Sequence, residues 1–122
     1  MKTVFPKGTK VVGPYSPATI SGNLLFVSGQ IGMDKNMDLI DNDVTKQAQQ
    51  ALKNLKEILE AGGSAVNKVL KCTIYLIDIN DYSEVNTVYA EFFGDHAPAR
   101  AAVEVANLPK KAKIEVECIA EI

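Results

Sequence analysis

The sequence predicts an α+β domain spanning residues 1–122, with elements in the order β-β-α-β-α-β-β and two helices on one face of a mixed sheet. Three observations carry this. Two stretches repeat apolar residues at three- and four-residue steps, several segments alternate apolar and polar residues, and Gly, Pro, Asn and Asp cluster between them. With 47% hydrophobic residues and a net charge of −2, the chain is too apolar and too weakly charged to be disordered. Two cysteines are too few for a disulfide scaffold. The longest apolar runs, such as Leu24 to Val27, fall far short of the roughly 20 residues that a membrane-spanning helix needs, so no membrane crossing is expected. The first residues hold no apolar signal segment, and a cytoplasmic location is the expectation.

Pro17 to Ile20 and Leu24 to Ser28 flank Ser21-Gly22-Asn23, a hairpin signal. Ile31 to Asn42, rich in Asp, Asn and Gly, is expected to be a loop. Asp34, Asn36 and Asp38 copy the first ligands of a calcium loop, but Leu39 stands where its glycine belongs and Thr45 where its glutamate belongs; no metal site is expected. From Asp43, a candidate N-cap, Val44, Ala48, Ala51, Leu52, Leu55, Ile58 and Leu59 trace a helical stripe that Gly62-Gly63 ends. Lys68 to Ile79 forms a long strand, with Leu70, Cys72, Ile74 and Leu76 on one face and Val69, Lys71, Thr73, Tyr75 and Ile77 on the other. Asp81-Tyr82-Ser83-Glu84 resembles a capping box with Asp81 as the cap, and Val85, Val88, Tyr89, Phe92 and Phe93 continue as a helix to Gly94.

In the last two strands, parity sorts charge from apolar residues. Ala99 to Ala106 places Ala101, Val103 and Val105 opposite Arg100, Ala102 and Glu104; Lys113 to Ile122 places Ile114, Val116, Cys118, Ala120 and Ile122 opposite Glu115, Glu117 and Glu121. If the helices cover the apolar face, Arg100 and Glu115 project together from the uncovered one. That uncovered face mixes Val69, Tyr75 and Ile77 with charges, which points to a homo-oligomer.

Arg100 is the only arginine beside twelve lysines, and it lies among small residues, Pro98-Ala99 and Ala101-Ala102. Its planar fork suits a carboxylate ligand; an ion pair with Glu104 or Glu115 is the structural alternative. Glu115 and Glu117 are candidate general acid–base groups or members of an ion-paired strand face. Tyr15, between Pro14 and Pro17, is a hydrogen-bond donor or a packing residue. Ser28-Gly29-Gln30-Ile31-Gly32 offers a hydroxyl and backbone donors but matches neither a nucleotide fingerprint nor a nucleophile elbow. His96 has no second histidine or patterned cysteine to form a metal site, and Cys72 and Cys118 fit buried thiols. Thirteen basic against fifteen acidic residues, with Lys110, Lys111 and Lys113 as the one local cluster, give no footprint for nucleic acid. What remains is chemistry on a small, already reactive substrate.

Gly13-Pro14-Tyr15, Val27-Ser28-Gly29-Gln30, Val85-Asn86 followed by Tyr89, Pro98-Ala99-Arg100-Ala101-Ala102, Leu108-Pro109 and Ile114-Glu115-Val116-Glu117 together resemble the RidA (YjgF-like) family of enamine/imine deaminases. The resemblance spans nearly the whole chain. It implies a chorismate-mutase-like α+β fold, a homotrimer with sites between subunits, and hydrolysis of 2-imino acids such as 2-iminobutanoate and 2-iminopropanoate to 2-oxo acids and ammonia without a cofactor. It further implies that Arg100 holds the substrate carboxylate and that Glu115 positions or activates the attacking water. Tyr15, Ser28, Gly29, Asn86, Ala101 and Ala102 would line the pocket. Many members carry Cys where this chain has Ala102, so thiol chemistry is not expected there. A non-catalytic module that binds 2-oxo acids or amino acids is the rival reading; an RNA-cleaving or chaperone role, attributed to some relatives, is disfavoured by the charge.

Overall fold

The Asp43 carboxylate accepts the Lys46 N–H at 3.0 Å and so starts helix α1 (Val44–Ala61) where the sequence places its cap. All seven apolar stripe residues of α1 are buried, and Gly63, at φ +82, turns the chain out of the helix. The computed structural model describes residues 1–122. Strands β1 (Lys2–Val4), β2 (Ala18–Ser21) and β3 (Leu24–Gln30) precede α1; β4 (Val69–Leu76), α2 (Tyr82–Phe93), β5 (Ala99–Glu104) and β6 (Ile114–Glu121) follow. The sheet order is β1-β2-β3-β6-β4-β5, and only β4 and β5 run parallel. Gly22, at φ +60, opens the β2–β3 turn.

One face of this sheet packs on both helices. Leu25, Val27, Ile74, Leu76, Ile114, Val116 and Ala120 join the α1 stripe and Val85, Val88 and Phe93 of α2 in one core. Cys72 and Cys118 face each other across β4 and β6 in that core as buried free thiols. No helix is long and apolar enough to cross a membrane.

Apart from β4 and β5, which stop at Leu76 and Glu104 short of the expected Ile79 and Ala106, the structure departs from the sequence expectations at five places. β1 is an added strand, paired to β2, too short to show a period. In β4 the register against β6 shifts between Val69 and Lys71; this irregularity buries Val69 and leaves Leu70 42% exposed, reversing their expected faces. Asp81 makes no capping bond, because a 3₁₀ turn (Ile79–Asp81) already leads into α2; Asp78 accepts the Asn80 N–H at 2.9 Å instead. Ile122 lies past the end of β6 and is exposed.

The fifth departure moves the chemistry. In the parallel β4–β5 ladder Arg100 lies opposite Cys72 and Ala102 opposite Ile74, so Arg100 and Ala102 share the helix-covered face. Ala101 and Val103 face away, with Val103 42% exposed. Glu115 pairs with Tyr75 and projects on the open face. Arg100 and Glu115 therefore lie on opposite faces. At the edge strand the core has thinned out, so charge there does not mark the solvent side as it does in central β6.

Gln47 ties two connections to α1: its Nε2 donates to the Asp41 carbonyl and its Oε1 accepts the Lys113 N–H, both at 2.8 Å. The chain after β3 crosses so close that a Cβ on Gly32 would lie 2.7 Å from the Gln47 backbone. Gly32→Ala is expected to destabilise the fold by about 1–3 kcal/mol, seen as a lower urea midpoint with unchanged far-UV dichroism.

Candidate functional site

Helix α2 presents Tyr82, Asn86 and Tyr89, spaced by four and three residues, toward Arg100 on β5. Nη1 of Arg100 donates to Asn86 Oδ1 at 2.8 Å and Nη2 donates to Tyr82 Oη at 2.7 Å. The guanidinium carbon lies 4.7 Å from the Tyr89 ring centroid and 5.4 Å from that of Tyr82. The Tyr89 hydroxyl is buried without an aligned hydrogen bond; burial, and then the neighbouring Cys72, push its phenol above the ordinary range.

Every partner of Arg100 is uncharged. The ion pairs of the chain are Lys46–Asp41 and Lys56–Glu60, and Glu104 is spent on the Ile79 N–H at 2.9 Å. The two carboxylates weighed as structural partners thus leave Arg100 alone. Two of the five N–H donors of its guanidinium are used, so three are free for a ligand. A half-buried cation with neutral neighbours attracts an anion, and its planar fork fits a carboxylate.

Glu115 sits on the open face of β6 beside Gly29 of β3. A Cβ at residue 29 would lie 2.7 Å from the Glu115 carboxyl carbon, so the absence of a side chain there makes room for it. Burial, and then the charge of Glu117, push the Glu115 pKa upward, which makes the carboxylate a stronger proton acceptor than an exposed one. Glu117 is engaged as acceptor for the Tyr75 hydroxyl, while Glu115 accepts no hydrogen bond within the chain. This difference separates two carboxylates that the sequence leaves equivalent. Ser28 Oγ donates to the Ser16 carbonyl at 2.6 Å, which fastens the turn carrying Tyr15 to the end of β3 next to Gly29. Tyr15 is 46% exposed and does not pack into the core.

The site residues expected from the sequence therefore fall into two groups. Arg100, Asn86 and Ala102 lie on the helix side; Gly29 and Glu115 meet at the open side, which Ala101 also faces, with Ser28 beside Gly29 and Tyr15 exposed on the turn that Ser28 fastens. His96 is in neither, since its Nε2 is bound to the Val69 carbonyl at 2.6 Å. No three His, Cys, Asp or Glu side chains converge as metal ligands. Tyr82 was legible only as part of a capping box, and Tyr89 only as core and as one residue of the family motif with no role of its own, although their spacing from Asn86 carried the signal of a shared helix stripe.

Residues 6–122 match the family described as Endoribonuclease L-PSP. A RutC family protein of Pyrococcus horikoshii is 51% identical over 91% of this chain and 89% of its own. The human 2-iminobutanoate/2-iminopropanoate deaminase is 45% identical over 93% of this chain and 84% of its own. The crystal structure of RidA from the Antarctic bacterium Psychrobacter sp. superposes with a TM-score of 0.94 at 39% identity, covering all of both chains. Escherichia coli TdcF with bound serine superposes with a TM-score of 0.92 at 36% identity, covering 100% of this chain and 99% of that one.

Asn86→Asp places a carboxylate where Nη1 now meets a neutral amide. The substitution is expected to weaken binding of 2-oxobutanoate by about tenfold or more in titration calorimetry, with no loss of thermal stability, because an internal ion pair then occupies the fork; unchanged affinity would contradict an anion-seeking Arg100.

Proposed function

The chain belongs to the Endoribonuclease L-PSP (YjgF/RidA) family, and from that premise we propose that it hydrolyses 2-imino acids such as 2-iminobutanoate and 2-iminopropanoate to 2-oxo acids and ammonia. The observation that carries this reading is the half-buried Arg100, held by neutral acceptors alone with three donors unspent. A relative bearing the deaminase name at 45% identity and another with bound serine, itself a small carboxylic acid, support it.

One chain does not present Arg100 and Glu115 to one small molecule. They lie on opposite faces, two strand spacings or about 9.6 Å apart across the sheet and three residues or about 10 Å apart along it. The proposed site therefore combines Arg100 of one copy with Glu115 of another, in a homotrimer with three such clefts. The exposed Phe26 and Val103 on the open face, beside Thr73 and Tyr75, support its burial against a neighbour.

In the proposed reaction Arg100 holds the carboxylate and fixes the C=N carbon beside a water, turning a random encounter into a positioned one. In the protonated imine, water oxygen bonds to that carbon while Glu115 takes one of its protons and the C=N electron pair moves to nitrogen, giving a neutral carbinolamine. Glu115 then returns that proton to nitrogen, the C–N bond breaks, and the hydroxyl proton passes to the departing ammonia, so the carbonyl forms and ammonium leaves. Removal of such imines would spare pyridoxal-phosphate enzymes from damage. The family description names RNA cleavage, but a net charge of −2 with one small lysine cluster provides no tract for a phosphate backbone.

The test generates 2-iminobutanoate with a threonine dehydratase and follows its conversion under semicarbazide competition. The protein is expected to accelerate release of 2-oxobutanoate, and Arg100→Lys to lose about 100-fold, since an ammonium lacks the fork. Refolding Arg100→Lys and Glu115→Gln together in equal amounts is expected to restore about a quarter of the wild-type activity, the share of clefts that receive both native residues from a cyclic interface. No recovery would place both groups in one chain; binding of 2-oxobutanoate without turnover would select the binding module.

Glu115 acts as a base only when ionised. The enzymatic rate, corrected for spontaneous hydrolysis, is expected to rise as pH increases through its elevated pKa, and Glu115→Gln is expected to abolish that rise.

A further inference from the structure

Both Nη atoms of Arg100 are already held inside the chain, and the partner of one of them, the Tyr82 hydroxyl, has no role in the reaction described above. We propose that Tyr82 is a positioning residue: its hydroxyl sets the plane of the Arg100 guanidinium so that the fork meets the substrate carboxylate. This rests on Arg100 being the carboxylate anchor.

An arginine on an edge strand has four side-chain torsions to fix. A single hydrogen bond, Nη1 to Asn86, leaves the guanidinium free to rotate about the line through that contact. The second bond, Nη2 to Tyr82 Oη at 2.7 Å, removes this rotation, and the Tyr89 ring at 4.7 Å sets the height of the plane. Tyr82 is itself well placed to act as a fixed point. It is the first residue of α2, and the 3₁₀ turn before it is bound by Asp78 at the Asn80 N–H and by Glu104 of β5 at the Ile79 N–H. The strand that carries Arg100 thus also holds the start of the helix that orients it.

The chemistry of the hydroxyl fits the task. It accepts from the cation without carrying a charge that would compete with a substrate carboxylate, whereas an acidic residue there would fill the fork. Its own proton has no acceptor in the chain, so it adds a neutral donor next to the ligand.

Tyr82→Phe keeps the ring and removes only the hydroxyl. The variant is expected to raise KM for 2-iminobutanoate and Kd for 2-oxobutanoate by about fivefold, with kcat within about twofold and an unchanged Tm. Because Arg100 is the only arginine, its guanidinium gives one isolated set of ¹⁵N signals. Resolved Nη1 and Nη2 resonances are expected in the wild type and their coalescence in Tyr82→Phe, a change that a purely structural role would not cause. Resolved signals with wild-type KM in the variant would overturn the proposal, as would a freely rotating guanidinium in the wild type. If the wild-type protein neither turns over the imine nor binds 2-oxobutanoate, the deaminase reading fails; the resonances alone then decide whether Tyr82 fixes Arg100.

Discussion

The alternation of β6 governs the architecture. Ile114, Val116, Cys118 and Ala120 are buried from a strand flanked on both sides, while Glu115 and Glu117 take the other face. Because directly paired residues share a face, this pattern propagates through the ladder: Cys118 fixes Cys72, and Cys72 fixes Arg100. On the opposite face the same logic runs from Glu115 through Tyr75 to Val103. A shift of one residue anywhere in this chain of registers would exchange the two faces, and the buried row leaves no freedom for it.

Two kinds of chemistry follow from that division. On the helix side an arginine is held by amide, phenol and aromatic ring, partners that orient a cation without neutralising it. On the open side a carboxylate is crowded against a glycine and a second carboxylate, which favours uptake of a proton. Each environment is built from few residues, and in the proposed homotrimer one copy would bring the half that another lacks.

Much of this was legible in the sequence because local rules and burial agree there. Asp43, the Gly62-Gly63 stop, the α1 stripe and β6 are places where cap chemistry or period leaves one solution. The failures share a cause. Parity put Arg100 outward on the premise that charge avoids the helix-covered face, but β5 is an edge strand and α2 offers it a polar stripe. The Val69–Lys71 irregularity reversed two residues because a shift in register depends on the partner strand, which one segment does not reveal. Tyr82 looked like helix-start punctuation since its partner lies eighteen positions away, and the residue pattern left Glu115 and Glu117 equivalent, since the Tyr75 bond that engages Glu117 crosses strands. The family resemblance implied Arg100 and Glu115 as a pair at sites between subunits, while the parity reading put both on one face of a single chain, where the registers do not put them.

Neutral ligands around a half-buried guanidinium also have a thermodynamic side. An uncompensated charge withdrawn from water raises the free energy of the empty folded chain, and an anion seated on it lowers that energy again. If Arg100 holds a carboxylate as proposed, folding and occupancy are linked: the protein would be least robust where that ligand is scarce and would gain stability in proportion to the logarithm of its supply. A site of this kind makes the persistence of the protein depend in part on the abundance of what it binds.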